Sequence, residues 1–183
     1  MSEKDEQQII LLLKDEHTQR QAFNEIVLRY SEPIYWHVRK MVIDHDDAND
    51  LVQNTFIKAW TNIQSFRGDS KLSTWLYRIA INECLSFLGS RRQKHNLSLE
   101  DADSFLLNKL ESSEYIDGDE LVLKLQRAIL TLPEKQRLVF NMRYYDDLSY
   151  EEISELLGTS VGALKASYHH AAKKIETFFD NEH

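Results

Sequence analysis

The sequence predicts an all-α protein made of two small helical domains, because three of its properties favour helices. Five glycines and two prolines in 183 residues are too few for the many tight turns of an all-β fold. Apolar residues recur at helical spacing through most of the chain. An acidic segment without a long apolar stripe interrupts this pattern, so we expect domains at residues 15–96 and 121–180 and a linker at 97–120.

Composition excludes several classes of protein. Hydrophobic residues make up 42% of the chain, which is enough for a buried core. The single cysteine, Cys84, excludes an intramolecular disulfide and favours a reducing compartment, so we predict a cytoplasmic protein. The N-terminus lacks the pattern of a signal peptide, and no apolar run approaches the roughly 18 residues of a membrane span. No membrane insertion is predicted.

The distribution of charge favours a nucleic-acid partner despite a net charge of −8. Residues 97–120 contain eight acidic residues against Lys109 alone, and this segment therefore carries −7 of that charge. Basic residues cluster on either side of it, at 91–95 and at 165–174. Such clusters are typical of phosphate-binding surfaces, whereas the acidic segment is a solvated spacer.

The expected helices follow from the apolar period in chain order. In the first domain we expect helices at 20–41 and 46–63, a loop at 64–71 where the period breaks, and a helix from Ser73 to Arg92. A short helix at 105–110 is expected within the linker. Helical spacing resumes at 122–132, and Pro133 suits the first position of a helix that runs through Met142. Asp146 and Asp147 then form a turn.

Residues 149–168 predict a helix-turn-helix. Ser149 and Glu152 have the S-x-x-E spacing of a capping box, Gly158 supplies a left-handed turn residue, and Ser160 caps a second helix. The exposed face of that second helix would combine small residues, which let the backbone approach base edges, with cations for phosphates. Its candidate DNA-reading residues are Ser160, Gly162, Ala163, Lys165, Ala166, Ser167, His169, His170 and Lys173. The alternative is a helical hairpin whose charges are only solvated.

The segments 132–137 and 148–162 resemble region four of bacterial sigma factors of the extracytoplasmic-function group. The resemblance implies that the second helix enters the major groove of the minus-thirty-five promoter element. The family often has arginines where this chain has Ser167, His170 and Ala172.

Residues 47–60 resemble the part of sigma region two that grips the clamp helices of the largest polymerase subunit. The resemblance implies polymerase-binding roles for Asp47, Asp50, Leu51, Gln53, Asn54, Phe56 and Lys58. From the residues alone, an ordinary solvated face is the favoured interpretation of the polar side of this helix.

Residues 66–80, with Asn82, resemble the promoter-melting part of region two. An opened strand needs polar atoms for its unstacked bases and cations beside its backbone. The candidate minus-ten residues are Phe66, Arg67, Gly68, Asp69, Ser70, Lys71, Leu72, Ser73, Arg78, Asn82, Arg91 and Arg92. Trp75 lies among them and is either a core residue or a stacking platform.

Taken together, these features predict a transcription initiation factor with core RNA polymerase and promoter DNA as partners, and the resemblance adds an anti-sigma factor. Two alternatives stay open: an autonomous helix-turn-helix regulator, and a helical adaptor or an enzyme with an unrecognised site. We expect no catalytic residues, cofactor or metal, because the chain has no zinc-protease motif, paired-cysteine motif, glycine-rich phosphate loop or serine-nucleophile motif. His169 and His170 are about 100° apart on a helix and cannot readily share a metal.

Overall fold

A computed structural model describes residues 3–66, 68–95, 104, 106–110 and 120–181, and these contain helices and no strand. The all-α prediction is therefore confirmed over the described part of the chain. The helices are α1 (Glu3–Leu13), α2 (Gln19–Val42), α3 (His45–Thr61), α4 (Leu72–His95), α5 (Glu120–Leu130), α6 (Glu134–Tyr144), α7 (Tyr150–Leu157) and α8 (Val161–Asn181). A 3₁₀ turn, Ile63–Ser65, follows α3, and residues 106–110 are helical as expected. None of the helices in these ranges combines the length and the apolarity that crossing a membrane requires.

The N-terminal half is a bundle of α2, α3 and α4. Its core lies along the apolar stripe of α2, where Ile26, Ile34 and Met41 are fully buried. Helix α3 begins at His45, one residue before the predicted start, because the Asp44 carboxylate caps it by accepting a hydrogen bond from the Asp47 amide at 2.9 Å. The remainder of the linker prediction, residues 97–103, 105 and 111–119, lies outside the described residues.

Helix α1 was not anticipated from the sequence. It packs on α2 through Ile9 and Leu13, which are both buried. The Glu6 side chain accepts a hydrogen bond from the Leu72 amide at the start of α4. Because the first amides of a helix have no partner within the helix, this contact lets α1 cap α4.

The C-terminal half packs α5, α6 and α8 around a second core. Ile129, Phe140, Ala171 and Ile175 are buried together there. The sequence analysis placed Pro133 at the first helical position, but in the structure it is the residue before the helix. Its ψ of 141° is extended, and α6 begins at Glu134. The prediction was off by one position because proline suits the N-cap and the first turn alike, having no amide hydrogen to satisfy.

The predicted helix-turn-helix is present as α7 and α8. Ser149 and Glu152 form the reciprocal capping box, with the Glu152 amide 3.2 Å from the Ser149 hydroxyl and the Ser149 amide 3.0 Å from the Glu152 carboxylate. Gly158 ends α7 with a φ of 62°, in the left-handed region. The Ser160 hydroxyl accepts a hydrogen bond from the Ala163 amide at 3.3 Å and caps α8.

We expect Gly158→Ala to lower the free energy of unfolding by about 1–2 kcal/mol, because a β-carbon is strained at positive φ. Space is not the cause, since a β-carbon at Gly158 would meet no atom within 4 Å. Gly162→Ala is the matched control: Gly162 also has open space but is helical, so alanine should be neutral or stabilise by up to about 1 kcal/mol. Urea denaturation measures both. Equal effects of the two substitutions would contradict a conformational role for Gly158.

Candidate nucleic-acid interface and docking groove

The reading face predicted on α8 is open to solvent. Ser167 is half-buried, and the other eight predicted residues are exposed. On the opposite side of the helix, Leu164, Ala171 and Ile175 are buried and hold α8 against the domain. The ring of Tyr168 stacks on that of Phe140, with centroids 5.5 Å apart and planes within 10° of parallel. The helix therefore presents a polar face on a rigid apolar base.

Helix α4 presents a narrow exposed stripe at a spacing of four residues. Arg78, Asn82, Ser86 and Ser90 are exposed along it, whereas most other positions of the helix are buried or half-buried. Residues four apart lie on the same side of a helix. Two of the predicted minus-ten residues, Arg78 and Asn82, therefore face the same direction.

The loop before α4 contains the rest of the predicted minus-ten residues, and not all of them face solvent. Gly68 and Asp69 are exposed, and Ser70 and Ser73 are half-buried. The side chains of Phe66 and Leu72, in contrast, are 8% and 0% exposed, so they support the loop from the core and cannot present a surface to DNA. Arg67 lies outside the described residues. Phe66 packs against Trp75 with ring centroids 5.1 Å apart, which favours the core role for Trp75.

On α3, Asp50, Gln53 and Asn54 are exposed as predicted for a docking surface. Leu51 is buried, which corrects the expectation that its side chain is presented to a partner. Phe56 is 8% exposed, and its side chain lines an open groove between α2 and α3. Both residues hold the helix on the bundle because they belong to the apolar stripe that period analysis identifies.

The predicted docking residues Lys58 and Asp47 are bound within the chain. Lys58 pairs with Glu83 of α4. The Asp47 carboxylate accepts from Arg91 at 2.7 Å and from the linker's Lys109 at 3.3 Å. Lys109 also lies 2.6 Å from the Asp44 carboxylate. Burial alone would raise the pKa of Asp44, but hydrogen bonds from the Asp47 amide and from Lys109 outweigh it, and the pKa is lowered. The linker therefore occupies the start of α3.

A groove of about 650 Å³ runs beside the exposed residues of α3, and the sequence analysis did not anticipate it. Its walls come from α2 and α3. Its lining residues are Phe23, Val27, Ser31, Asn49, Asp50, Val52, Gln53, Phe56, Ile57 and Trp60. The signal for it was present in the exposed apolar side chains Ile57 and Trp60, which lie outside the buried stripe. An apolar floor beside polar residues suits an amphipathic helix.

The two halves of the chain are joined by ion pairs that the sequence did not reveal. Lys71 lies 2.8 Å from Glu152, and Arg92 lies 3.1 Å from Glu134. The hydrogen bond from Lys71, together with the Ser149 amide, lowers the pKa of Glu152 to about 2, and the same pair raises the pKa of Lys71. Predicted DNA-binding cations of one half are thus paired with acids of the other.

The cysteine of this chain is not an accessible nucleophile, and the described residues form no metal site. Cys84 is fully buried, and burial raises the pKa of its thiol to about 12, so little thiolate exists at neutral pH. In the described ranges, histidine, cysteine and carboxylate side chains form no group that could hold a metal ion.

Comparison with known proteins gives matches along both halves. The family model described as Sigma-70 region 2 matches residues 26–94, and that described as Sigma-70, region 4 matches residues 123–175. The chain is 34% identical to the RNA polymerase sigma-H factor of Pseudomonas aeruginosa over 165 residues, covering 86% of each chain. It is also 34% identical to the ECF RNA polymerase sigma-E factor of Escherichia coli over 175 residues, covering 91% of each.

Two solved structures share the fold. The sigma factor RpoE of Bartonella quintana, in complex with the anti-sigma factor NepR, matches with a TM-score of 0.67 and 22% identity over 86% of this chain and 96% of that one. CnrH, in complex with the cytosolic domain of CnrY, matches with a TM-score of 0.69 and 22% identity over 96% and 98% of the two chains.

We expect Lys71→Met to raise the pKa of Glu152 from about 2 towards the ordinary 4.5 while leaving it lowered, because the capping box remains. A carboxyl with a lowered pKa stabilises the folded state above about pH 4.5, and this contribution is lost as the pH falls towards 2. The variant should therefore lose less stability than the wild type between these values. NMR titration of the Glu152 carboxyl measures the shift, and the exposed Lys173→Met is the control. An unchanged Glu152 pKa in Lys71→Met would contradict the contact.

Proposed function

This chain belongs to the extracytoplasmic-function group of RNA polymerase sigma factors. We propose that three of its surfaces bind, respectively, core polymerase, the melted minus-ten strand and the minus-thirty-five element. It is a transcription initiation factor that directs core RNA polymerase to promoters. The autonomous-regulator and adaptor alternatives do not account for a region-two match followed by a region-four match in one chain. The family consists of initiation factors, and we propose that this chain has no catalytic activity of its own.

The first proposed surface binds core polymerase and consists of the α2–α3 groove with its polar edge. The observation that carries it is the combination of exposed apolar side chains, Ile57 and Trp60, with exposed Asp50 and Gln53 beside them. A helix from polymerase would place apolar residues in the groove and polar residues along this edge. Asn54 continues the polar face, while Asp47 and Lys58 would join only after leaving their present partners.

The second proposed surface holds the melted minus-ten strand. It comprises the loop at 68–73 and the exposed stripe of α4. Arg78 and Asn82 would contact backbone and bases, since cations and polar edges together retain a single strand. Lys71, Arg91 and Arg92 extend the positive charge, and Phe66 and Leu72 support it from the core.

The third proposed surface is the exposed face of α8, which would read the minus-thirty-five element. Small side chains at Gly162, Ala163 and Ala166 allow close approach to base edges at the start of the helix. Lys165 and Lys173 lie further along and would meet phosphates. This division corresponds to functional domains at 15–96 and 121–180.

An anti-sigma partner and a cytoplasmic location complete the proposal. The Bartonella quintana RpoE was solved with an anti-sigma factor, and CnrH was solved with the cytosolic domain of CnrY. The curated relatives are named as RNA polymerase sigma factors, and a factor that binds polymerase would act in the cytoplasm. An inhibitor bound in the α2–α3 groove would compete directly with polymerase for the proposed docking surface.

The docking proposal predicts that Asp50→Lys weakens binding to core polymerase without unfolding the chain. Exposed substitutions usually change stability by about 0.5 kcal/mol or less, so the melting temperature should change little. Asp180→Lys makes the same charge change at an exposed position near the end of α8, away from the groove, and this variant should bind polymerase normally. Both are measured by fluorescence anisotropy with labelled sigma factor and by thermal melting. Unaltered binding of Asp50→Lys would remove this edge from the interface.

The minus-ten proposal predicts that Arg78→Ala reduces strand opening by the holoenzyme by about tenfold or more, because a hydrogen bond between charged groups is worth roughly 1.5–3 kcal/mol. Permanganate reactivity of promoter thymines reports opening, and run-off transcription with wild-type protein establishes that the holoenzyme initiates. Arg20→Ala, at an exposed position of α2, is the control and should open the strand normally. Normal opening with Arg78→Ala would exclude this residue from the site.

A further inference from the structure

The two DNA-binding halves share one buried interface in this structure. Met142, Ile153 and Leu156 of the C-terminal half lie in the same apolar cluster as the core of the N-terminal bundle. Helix α7 packs on α4, and α6 packs on α2. The Asn141 amide lies 3.8 Å from the Met41 sulfur within this interface. The halves are therefore held against each other by a desolvated contact.

A buried polar cluster lies at one edge of this interface. The Asp146 carboxylate, 4% exposed, accepts from His37 at 2.5 Å and from Lys40 at 3.3 Å. Lys40 also lies 4.5 Å from the centroid of the Tyr145 ring. His37 is fully buried, and its ring packs edge-on against Tyr77, whose pKa is raised by burial and by the Asp146 charge. His37 and Lys40 belong to α2, and Asp146 follows α6, so the cluster links the two halves by hydrogen bonds. Replacing one member would leave a desolvated polar group without its partner, which disfavours the closed arrangement.

The same arrangement covers the cations of the minus-ten surface. Lys71 pairs with Glu152, Arg92 pairs with Glu134, and Arg78 donates to the backbone carbonyl of Glu155 at 3.0 Å. Phosphates of a bound strand would need the same donors that these two carboxylates and this carbonyl now occupy. The reading face of α8, by contrast, remains exposed. Only one of the two DNA surfaces is covered.

We propose that the helix-turn-helix domain has a second role as an intramolecular cover of the single-strand surface, held closed by the Asp146 cluster. This inference rests on the proposed minus-ten site. A strand and the C-terminal half cannot pair with the same cations, so the halves must separate before the surface binds DNA. The apparent affinity for a single strand is then reduced by the fraction of molecules that are open.

The cover predicts a gain of binding on mutation, which a purely structural role for Asp146 does not. Asp146→Asn should expand the free chain, seen as a larger radius of gyration in small-angle X-ray scattering. It should also bind a fluorescein-labelled dT20 oligonucleotide about tenfold more tightly at low salt. Asp147→Asn is the matched control: it makes the same charge change one residue along, its side chain is 95% exposed, and asparagine tolerates its φ of 50°. It should leave both measurements at wild-type values.

A second variant guards against misfolding of the first. Glu134→Gln combined with Glu152→Gln removes both covering carboxylates at partly exposed positions, and glutamine can still complete the capping box at 152. It should bind dT20 more tightly than wild type with unchanged helicity by circular dichroism.

Three results would overturn the cover. One is an unexpanded, folded Asp146→Asn chain. Another is an expanded Asp146→Asn chain with wild-type affinity for dT20. The third is wild-type affinity in the double glutamine variant. Failure of the proposed function is distinguished by run-off transcription with the wild-type protein, which does not depend on any of these variants.

Discussion

The need to bury helix α4 on more than one side determines much of this structure. Leu76, Ala80 and Cys84 are fully buried, and half-buried residues surround them, so one layer of helices cannot cover the apolar surface. Helices α2 and α3 cover one side, and α7 of the C-terminal half covers another. The exposed remainder is the stripe that carries Arg78 and Asn82. The proposed promoter-melting surface is therefore the part of α4 that the core does not cover.

Local features of the fold were readable from the sequence because they depend on neighbouring residues. The capping box at Ser149, the left-handed Gly158 and the apolar periods of α2 and α8 are determined within one or two helical turns, and all are present. The exposure of the proposed reading face of α8 follows from the same period. The exposure of Asp50 was likewise predictable, although period analysis could not separate a docking surface from a solvated one.

Features that depend on distant parts of the chain were not readable. His37 and Asp146 are 109 positions apart, and nothing near either one shows that they meet. Helix α1 escaped notice because its role, capping α4 through Glu6, requires a partner far along the chain. The burial of Phe66 and Leu72 was missed for the same reason, since a loop shows no period from which to identify its inward side. Charge pairing between the halves is a property of the folded state alone.

The burial of Cys84 has a practical consequence for following this protein in solution. The only thiol of the chain is inaccessible and carries a raised pKa, so the folded molecule should neither dimerise through a disulfide nor respond to mild oxidants at this residue. A thiol reagent can reach Cys84 only when the N-terminal bundle opens. The rate at which Cys84 is labelled therefore reports how often that core opens. A cysteine introduced on the surface would react much faster than Cys84 and could be labelled selectively.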